Sequence, residues 1–321
     1  MFLRIIGTGR ALPENIINND YLATIMDTSD DWIRSRTGIA ERRMAKDETV
    51  VSLATTAAQE AIRKSGISPD EIDLILVTTM TPDNSCPNTA CCIQKNINAT
   101  NAIAIDMNTA CSGFIFAMSI ANAYVNANME RYKTVLVVSA EILTKLLDWS
   151  DRTTSILFGD GAGAAILKAD NTGVLNIIEH TDGTKGDVLS VGSLPKKNLL
   201  IKEEKFRNTY MEGKEIFKFA TTKVVENINE LLSAAGIDIN DISLFVLHQA
   251  NINIITAIAK KLKQDLKKFP INLDRYGNMS SASIPVLLDE INEAGKIKTG
   301  DKIVIAGFGG GLTWAAALVQ W

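Results

Sequence analysis

Asp106-Met107-Asn108-Thr109-Ala110-Cys111-Ser112-Gly113 is the stretch from which the rest of the chain is read. The apolar run 102–105 before it reads as a buried strand. A short polar turn follows, and Gly113-Phe114-Ile115-Phe116-Ala117-Met118 opens a long apolar helix. Cys111 therefore falls at a strand-to-helix turn. Unpaired backbone N–H groups and the positive end of the helix dipole gather there. Both favour thiolate over thiol, and the thiolate is the nucleophile. Free cysteine is also among the most buried residue types and packs as a small hydrophobe. Placement alone leaves both roles open for Cys111, and the features that bear on the choice lie further along the chain.

The chain has 321 residues, 46% of them hydrophobic and 22% charged, which is the profile of a folded soluble protein of two ordinary domains or one duplicated one. A net charge of −4 gives no basic field for nucleic acid, so no nucleic-acid partner is expected. The first fifteen residues lack a signal-peptide core, and no apolar run reads as approaching a membrane span. The expected compartment is the cytoplasm, with no membrane partner. Four cysteines in a chain this long do not form a disulfide framework. Cys86, Cys91 and Cys92 lack the paired spacing and histidine companions of zinc ligands, so no metal is expected and they read as packing residues. There are two histidines, so a mechanism that needs imidazole must use His180 or His248.

In chain order, residues 3–7 read as a strand ending at a glycine turn. Thr28 or Ser29 caps a short helix carrying Trp32, and residues 50–65 form an alanine-rich amphipathic helix. Residues 74–77 and 135–138 read as strands. Ile156-Leu157-Phe158-Gly159-Asp160-Gly161-Ala162-Gly163 reads as a glycine turn flanked by apolar strands, with no Lys-Ser/Thr to make it a phosphate loop. Residues 65–78 run parallel to residues 235–248 at a constant offset of 170, without a gap. Phe158-Gly159-Asp160-Gly161 has its echo in Phe308-Gly309-Gly310-Gly311. Two echoes in the same order indicate a duplication. The alternation of strands and helices within each half implies layered α/β units with a mainly parallel sheet. We therefore expect halves at 1–170 and 171–321.

His248 closes the strand of the second copy, where ligands of open α/β sheets gather. It reads equally as a satisfied histidine at a strand end. His180 reads as a surface residue. Tyr276-Gly277-Asn278-Met279-Ser280 carries a turn signal before a helix containing Pro285, and asparagine there is ordinarily a turn former. Three glycines at 309–311 allow close backbone approach to a ligand, or simply a tight turn. Arg34, Arg36, Arg42 and Arg43 read as a solvated face.

Taken together, these motifs resemble the thiolase superfamily, and within it the β-ketoacyl-acyl-carrier-protein synthase III family. The matching segments are Asn108–Phe114, His248-Gln249-Ala250-Asn251, Tyr276–Ser280, Phe308-Gly309-Gly310-Gly311-Leu312-Thr313-Trp314, Thr28-Ser29-Asp30-Asp31-Trp32-Ile33, Arg36-Thr37-Gly38-Ile39 and Phe158–Gly163. The glycine motifs are weak singly, but all seven occur in order from the first strand to the last.

The resemblance implies a thiolase-like fold: two duplicated βαβαβαββ-type halves layered α-β-α-β-α. The N-terminal half carries the cysteine, and the C-terminal half carries the histidine and asparagine. It implies that Cys111 takes an acyl group from an acyl-coenzyme A, which is a substrate and not a cofactor. It further implies that His248 and Asn278 stabilise the enolate left when malonyl-acyl-carrier protein loses carbon dioxide, and that N–H groups of Cys111 and Gly310 form an oxyanion hole. This condensation would start fatty acid synthesis; a related synthase of specialised, polyketide-type metabolism is the alternative. Trp32, Arg36 and Arg152 would meet coenzyme A at the tunnel mouth. Lys218, Lys260 and Lys261 would meet the carrier protein, and a homodimer is expected. One departure is Asn253, where the family often has an arginine for carrier docking. Cys86 falls where a larger residue can border the acyl pocket, which leaves chain length open.

Overall fold

The structure, a computed structural model, describes residues 2–192, 199, 200 and 208–321. Chain order in the first half is β1 (Phe2–Ala11), β2 (Ile16–Asn18), α1 (Asn19–Ala23), α2 (Asp30–Thr37), β3 (Glu41–Arg43), α3 (Val50–Ser65), β4 (Leu74–Thr78), α4 (Thr89–Ile97), β5 (Ile103–Met107), α5 (Gly113–Ala127), β6 (Thr134–Ile142) and β7 (Asp160–Asp170). The second half follows with β8 (Val174–Thr181), β9 (Leu189–Ser190), β10 (Tyr210–Met211), α6 (Gly213–Ala235), β11 (Leu244–Leu247), α7 (Ile252–Lys261), α8 (Leu273–Tyr276), α9 (Ser283–Glu293), β12 (Lys302–Gly309) and β13 (Thr313–Gln320).

Two sheets organise the molecule. The first has the order β1-β7-β6-β4-β5, and the second β11-β12-β13-β8. The expected mainly parallel sheet is corrected to a mixed one. Pairs β6-β4, β4-β5 and β11-β12 are parallel, whereas β1-β7, β7-β6, β12-β13 and β13-β8 are antiparallel. Parallel pairing arises where a helix carries the chain back over the sheet, as α4 does between β4 and β5. β12 and β13 instead join through a tight turn and pair antiparallel.

Strand periodicity sorts side chains to the two faces. Leu74 and Leu76 of β4 and Ile303 and Ile305 of β12 face a shared interior, which α5 and α9 fill with Phe114, Met118, Leu287 and Leu288. Ile75 and Val77 face outward under α3 and α4. Phe245 and Leu247 face outward under α6 and α7. The layers are thus α3/α4, sheet, α5/α9, sheet, α6/α7. Because each sheet is covered on both faces, its inner strands, such as β4 and β12, are near-continuous apolar runs. This places the turns leading into α5 and α9 at the seam between the halves.

Four local expectations are corrected. β1 runs on through Gly7 and Gly9 to Ala11. A Cβ at Gly7 would lie 2.4 Å from the Ala61 carbonyl, and one at Gly9 2.3 Å from the Ala57 carbonyl, so these glycines let α3 lie flat on the strand and do not turn the chain. Residues 154–157 are turns and not a strand, held by the Leu157 N–H donating to the Thr154 carbonyl at 3.1 Å, and Phe158 forms only an isolated bridge to Asn278. The 18-residue helical run Ala110–Ala127 is long and apolar enough to cross a membrane, although none was expected; here it packs between the two sheets. Arg42 is no part of a solvated face. It is fully buried, its guanidinium donating to the carbonyls of Ile17 and Ile156 and to Asn19 Oδ1.

Candidate active site

The 3-10 turn Ala110–Ser112 holds Cys111 between β5 and the first turn of α5. The turn 280–282 leads into α9 in the same way, 170 positions later. Ala110 and Ser280 hold the same left-handed backbone, with φ of 48° and 49°. Asn108 and Asn278 also correspond, and each closes its turn by accepting a backbone N–H two residues on: Ala110 N at 3.1 Å and Ser280 N at 2.8 Å. The duplication thus delivers two like-shaped turns, one with a thiol and one with a carboxamide presented.

The cysteine turn is tied to the second half. Ser112 and Thr313 share a hydroxyl–hydroxyl bond of 2.8 Å, and Thr313 also donates to the Thr109 carbonyl at 3.1 Å. Gly309, at the end of β12, lies against the backbone of Cys111: a Cβ there would sit 2.6 Å from the Cys111 nitrogen. Asn278 is fixed on both sides of its backbone. Its N–H donates to the Leu157 carbonyl at 2.8 Å, and its carbonyl accepts from Gly159 N at 3.0 Å. Since Oδ1 takes the Ser280 N–H, Nδ2 is the end of the amide left for donation.

His248 leaves the end of β11, its backbone N–H bonded to the Ala306 carbonyl at 2.9 Å and its ring edge-on to Phe308 at 5.4 Å. Its Nδ1 is buried without a hydrogen-bond partner among the described residues. Cys111, His248, Asn278, Asn108 and Gly310 all line one cavity of about 530 Å³. Leu143, Leu157, Ile216, Phe217 and Ile254 supply much of its apolar wall. A cavity of this size is ordinary for a small-molecule site.

Burial dominates the electrostatics. The Cys111 thiol is pushed up to about 12, first by desolvation, and then opposed by the nearby Ser280 hydroxyl. Ser280 Oγ meets no partner in ordinary hydrogen-bond geometry, so its pull on the thiol is weak. His248 is pushed down to about 3, again by desolvation. The helix N-terminus was expected to favour thiolate. Burial of a charge in the cavity opposes that pull and favours the neutral form of both groups.

The other sequence candidates form two surface groups. Ser29 Oγ caps α2 by accepting the Trp32 N–H at 3.2 Å. On that helix Arg36 stands 5.3 Å from the Trp32 ring, and Arg152 comes across from the far side of the chain to 4.9 Å. None of the three lines the cavity, but Asn251, which does, donates to the Arg36 carbonyl at 3.0 Å, as does Asn253 at 2.8 Å. Lys218 is exposed on α6, and Lys260 and Lys261 are exposed on the adjoining α7. Lys261 also holds the Thr221 carbonyl at 2.8 Å, linking the two helices. His180 is at the surface as expected, bonded to Glu230 at 2.9 Å and stacked on Trp314. Cys86 is exposed and does not line the cavity. The sequence carried no signal for the wall residues Met80, Leu189, Met211 and Phe217, since ordinary apolar side chains become cavity lining only through distant folding.

Fold and site together define a thiolase-like chain with its cysteine, histidine and asparagine around one cavity. Residues 105–186 match the family described as 3-oxoacyl-[acyl-carrier-protein (ACP)] synthase III, and residues 232–321 match its C-terminal family. The chain is 48% identical over 330 residues to the β-ketoacyl-[acyl-carrier-protein] synthase III of Clostridium tetani, covering 99% of this chain and 98% of that one. The crystal structure of 3-oxoacyl-[acyl-carrier-protein] synthase III from Aquifex aeolicus superposes with a TM-score of 0.92 at 42% identity, covering 99% and 100%. The priming β-ketosynthase of the R1128 polyketide pathway superposes at 0.91 with 34% identity, covering 99% and 96%. The chain belongs to the β-ketoacyl-acyl-carrier-protein synthase III family.

Proposed function

We infer that this chain starts fatty acid synthesis by condensing an acyl-coenzyme A primer with malonyl-acyl-carrier protein. The carrying observation is the convergence of Cys111, His248 and Asn278 on one cavity, all three uncharged at rest. Cys111 Sγ attacks the acyl thioester as His248 takes the thiol proton, a transfer that needs the neutral imidazole. The tetrahedral oxyanion accepts from the N–H groups of Cys111 and Gly310. The carbonyl re-forms, and coenzyme A leaves with the proton. The malonyl thioester then loses carbon dioxide, and its enolate oxygen accepts from Asn278 Nδ2 and His248. The enolate carbon attacks the acyl-enzyme and displaces the Cys111 sulfur, giving a β-ketoacyl thioester. Two short steps replace one hard one.

The Trp32, Arg36 and Arg152 cluster supports a role in holding coenzyme A, with an aromatic face and two guanidiniums for adenine and phosphates. Exposed Lys218, Lys260 and Lys261 support docking of an acidic carrier. We divide the chain into an N-terminal half, 1–170, and a C-terminal half, 171–321, because each sheet draws its strands from one of them. β5 is an edge strand whose residues are all half-buried, which supports a homodimer that pairs this edge. A cytoplasmic compartment suits a protein working on soluble thioesters. The specialised-metabolism reading is the weaker one, because the polyketide relative is the more distant at 34% identity against 48%. Incubation with a panel of acyl-coenzyme A thioesters and intact-mass measurement tests the reading: an acyl adduct that disappears in Cys111→Ser supports it, and absence of any adduct overturns it.

A further inference from the structure

Glu141 is a fully buried carboxyl group that the chemistry above does not use. It stands next to the last residue of β6 and accepts four donors from two distant parts of the chain. Thr81 Oγ1 donates at 2.8 Å, Met80 N at 3.1 Å and Thr79 Oγ1 at 3.4 Å. Ser281 Oγ, three residues after Asn278, donates at 3.1 Å. Met80 and Ser280, the immediate neighbours of these donors, both line the cavity. The cysteine turn leans on the same place: a Cβ at Gly113 would lie 2.9 Å from Thr78 Cβ and 3.2 Å from Ser281 Cβ.

We propose that Glu141 is a positioning residue whose carboxyl group joins loop 79–81 to the turn after Asn278, and so holds the Cys111 and Asn278 turns at one spacing. The proposal rests on the roles given to those two residues above. A carboxyl group serves here because it alone accepts from four donors arriving from two halves of the chain. An apolar residue of its size would strand the Met80 N–H and three hydroxyls in the interior.

The same group acts on the thiol through its charge. Burial pushes the Glu141 carboxyl up to about 7, while the donors from Thr81, Met80, Ser281 and Thr79 pull the other way. Its ionised form opposes thiolate formation at Cys111. The other charged groups around it are Lys145, whose ammonium binds the Thr81 carbonyl at 2.7 Å, and Asp160, which pairs with Ile142 across the sheet and is engaged by Thr144. Neither is bonded to Glu141, so among the described residues no counterion is fixed on the carboxyl group.

The test compares Glu141→Ala, Glu141→Gln and Ser281→Ala with the parent protein. The readouts are carbon dioxide release from the malonyl thioester, acyl adduct by intact mass, Cys111 alkylation by iodoacetamide from pH 6 to 9, and thermal unfolding. In Glu141→Ala, kcat for decarboxylation should fall about 10- to 100-fold with KM changed by less than about threefold, the signature of misplaced groups rather than lost binding. Ser281→Ala should lose several-fold in kcat. Glu141→Gln, which keeps the shape, should recover to within about fivefold. It should also alkylate faster than the parent at pH 8, by about two- to tenfold, because the opposing carboxylate is gone. If Glu141→Ala does not fold, Glu141→Gln and Ser281→Ala carry the test. Parental kcat in the folded variants, with a parental alkylation profile in Glu141→Gln, overturns the proposal. A parent protein that takes no acyl group overturns the functional reading instead, and is seen separately.

Discussion

Gly309→Ala tests whether the cysteine turn is held in place by the end of β12. The added Cβ would lie 2.6 Å from the Cys111 nitrogen, 3.1 Å from Ala110 Cβ and 3.3 Å from Cys111 Cα, where ordinary contact begins at 3.4 Å. About 0.8 Å must therefore be found against the nitrogen. β12 cannot easily supply it, since Phe308 pairs with Trp314 and Gly309 with Thr313 on β13. The turn carrying Cys111 has to retreat, taking with it the N–H proposed for the oxyanion hole. Overpacking of this kind costs about 1–3 kcal/mol of stability. A displacement near 1 Å in a reacting group costs on the order of a hundredfold in rate. Single-turnover acylation by an acyl-coenzyme A, followed by intact mass, should slow about 10- to 100-fold in a variant that still folds. Gly310→Ala is the control. Its nearest contact is the Leu189 carbonyl at 3.3 Å, and the substitution keeps the Gly310 N–H, so acylation should change little. Parental acylation in Gly309→Ala, or equal loss in both variants, would refute the reasoning.

The two half-reactions should separate by mutation. Asn278→Ala should still take an acyl group on Cys111 but release carbon dioxide about a hundredfold more slowly, from the loss of one oxyanion donor; loss of acylation with normal decarboxylation would reverse the assigned roles. His248 is held at about 3 by burial against 6.5 when exposed, so between those values the unfolded chain binds a proton that the folded chain does not, and stability falls as pH drops. That difference is about 2 kcal/mol at pH 5. In urea unfolding, His248→Gln should therefore lose less stability from pH 7 to pH 5 than the parent, while Glu141, which works in the opposite sense over part of this range, is common to both; an equal loss counts against a buried neutral imidazole. Reversing Lys218 and Lys260 to glutamate should raise the KM for malonyl-acyl-carrier protein at low ionic strength, with the difference shrinking in about 0.5 M salt. An unchanged KM would remove the docking role.

Several helices and caps, the internal echo and the motif residues Cys111, His248 and Asn278 were legible in the sequence itself. The Val50–Ser65 helix, the Ser29 cap and the turn before α9 are local matters of spacing and capping, and they stand where periodicity put them. The offset of 170 read for residues 65–78 and 235–248 extends, in the structure, to the turns that carry Cys111 and Asn278. Other features depend on what comes from far away. Gly7 looks like a turn until α3 is laid over it. Arg42 looks solvated until β2, α1 and the 156–159 segment close around it. The burial that opposes charge on Cys111 and His248 was likewise invisible: a helix N-terminus can be read in a sequence, but desolvation is a property of the folded cavity. Glu141 carried no motif at all. Its four donors come from residues 79–81 and 281, up to 140 positions away, and only the packing of one half on the other brings them to a single carboxyl group.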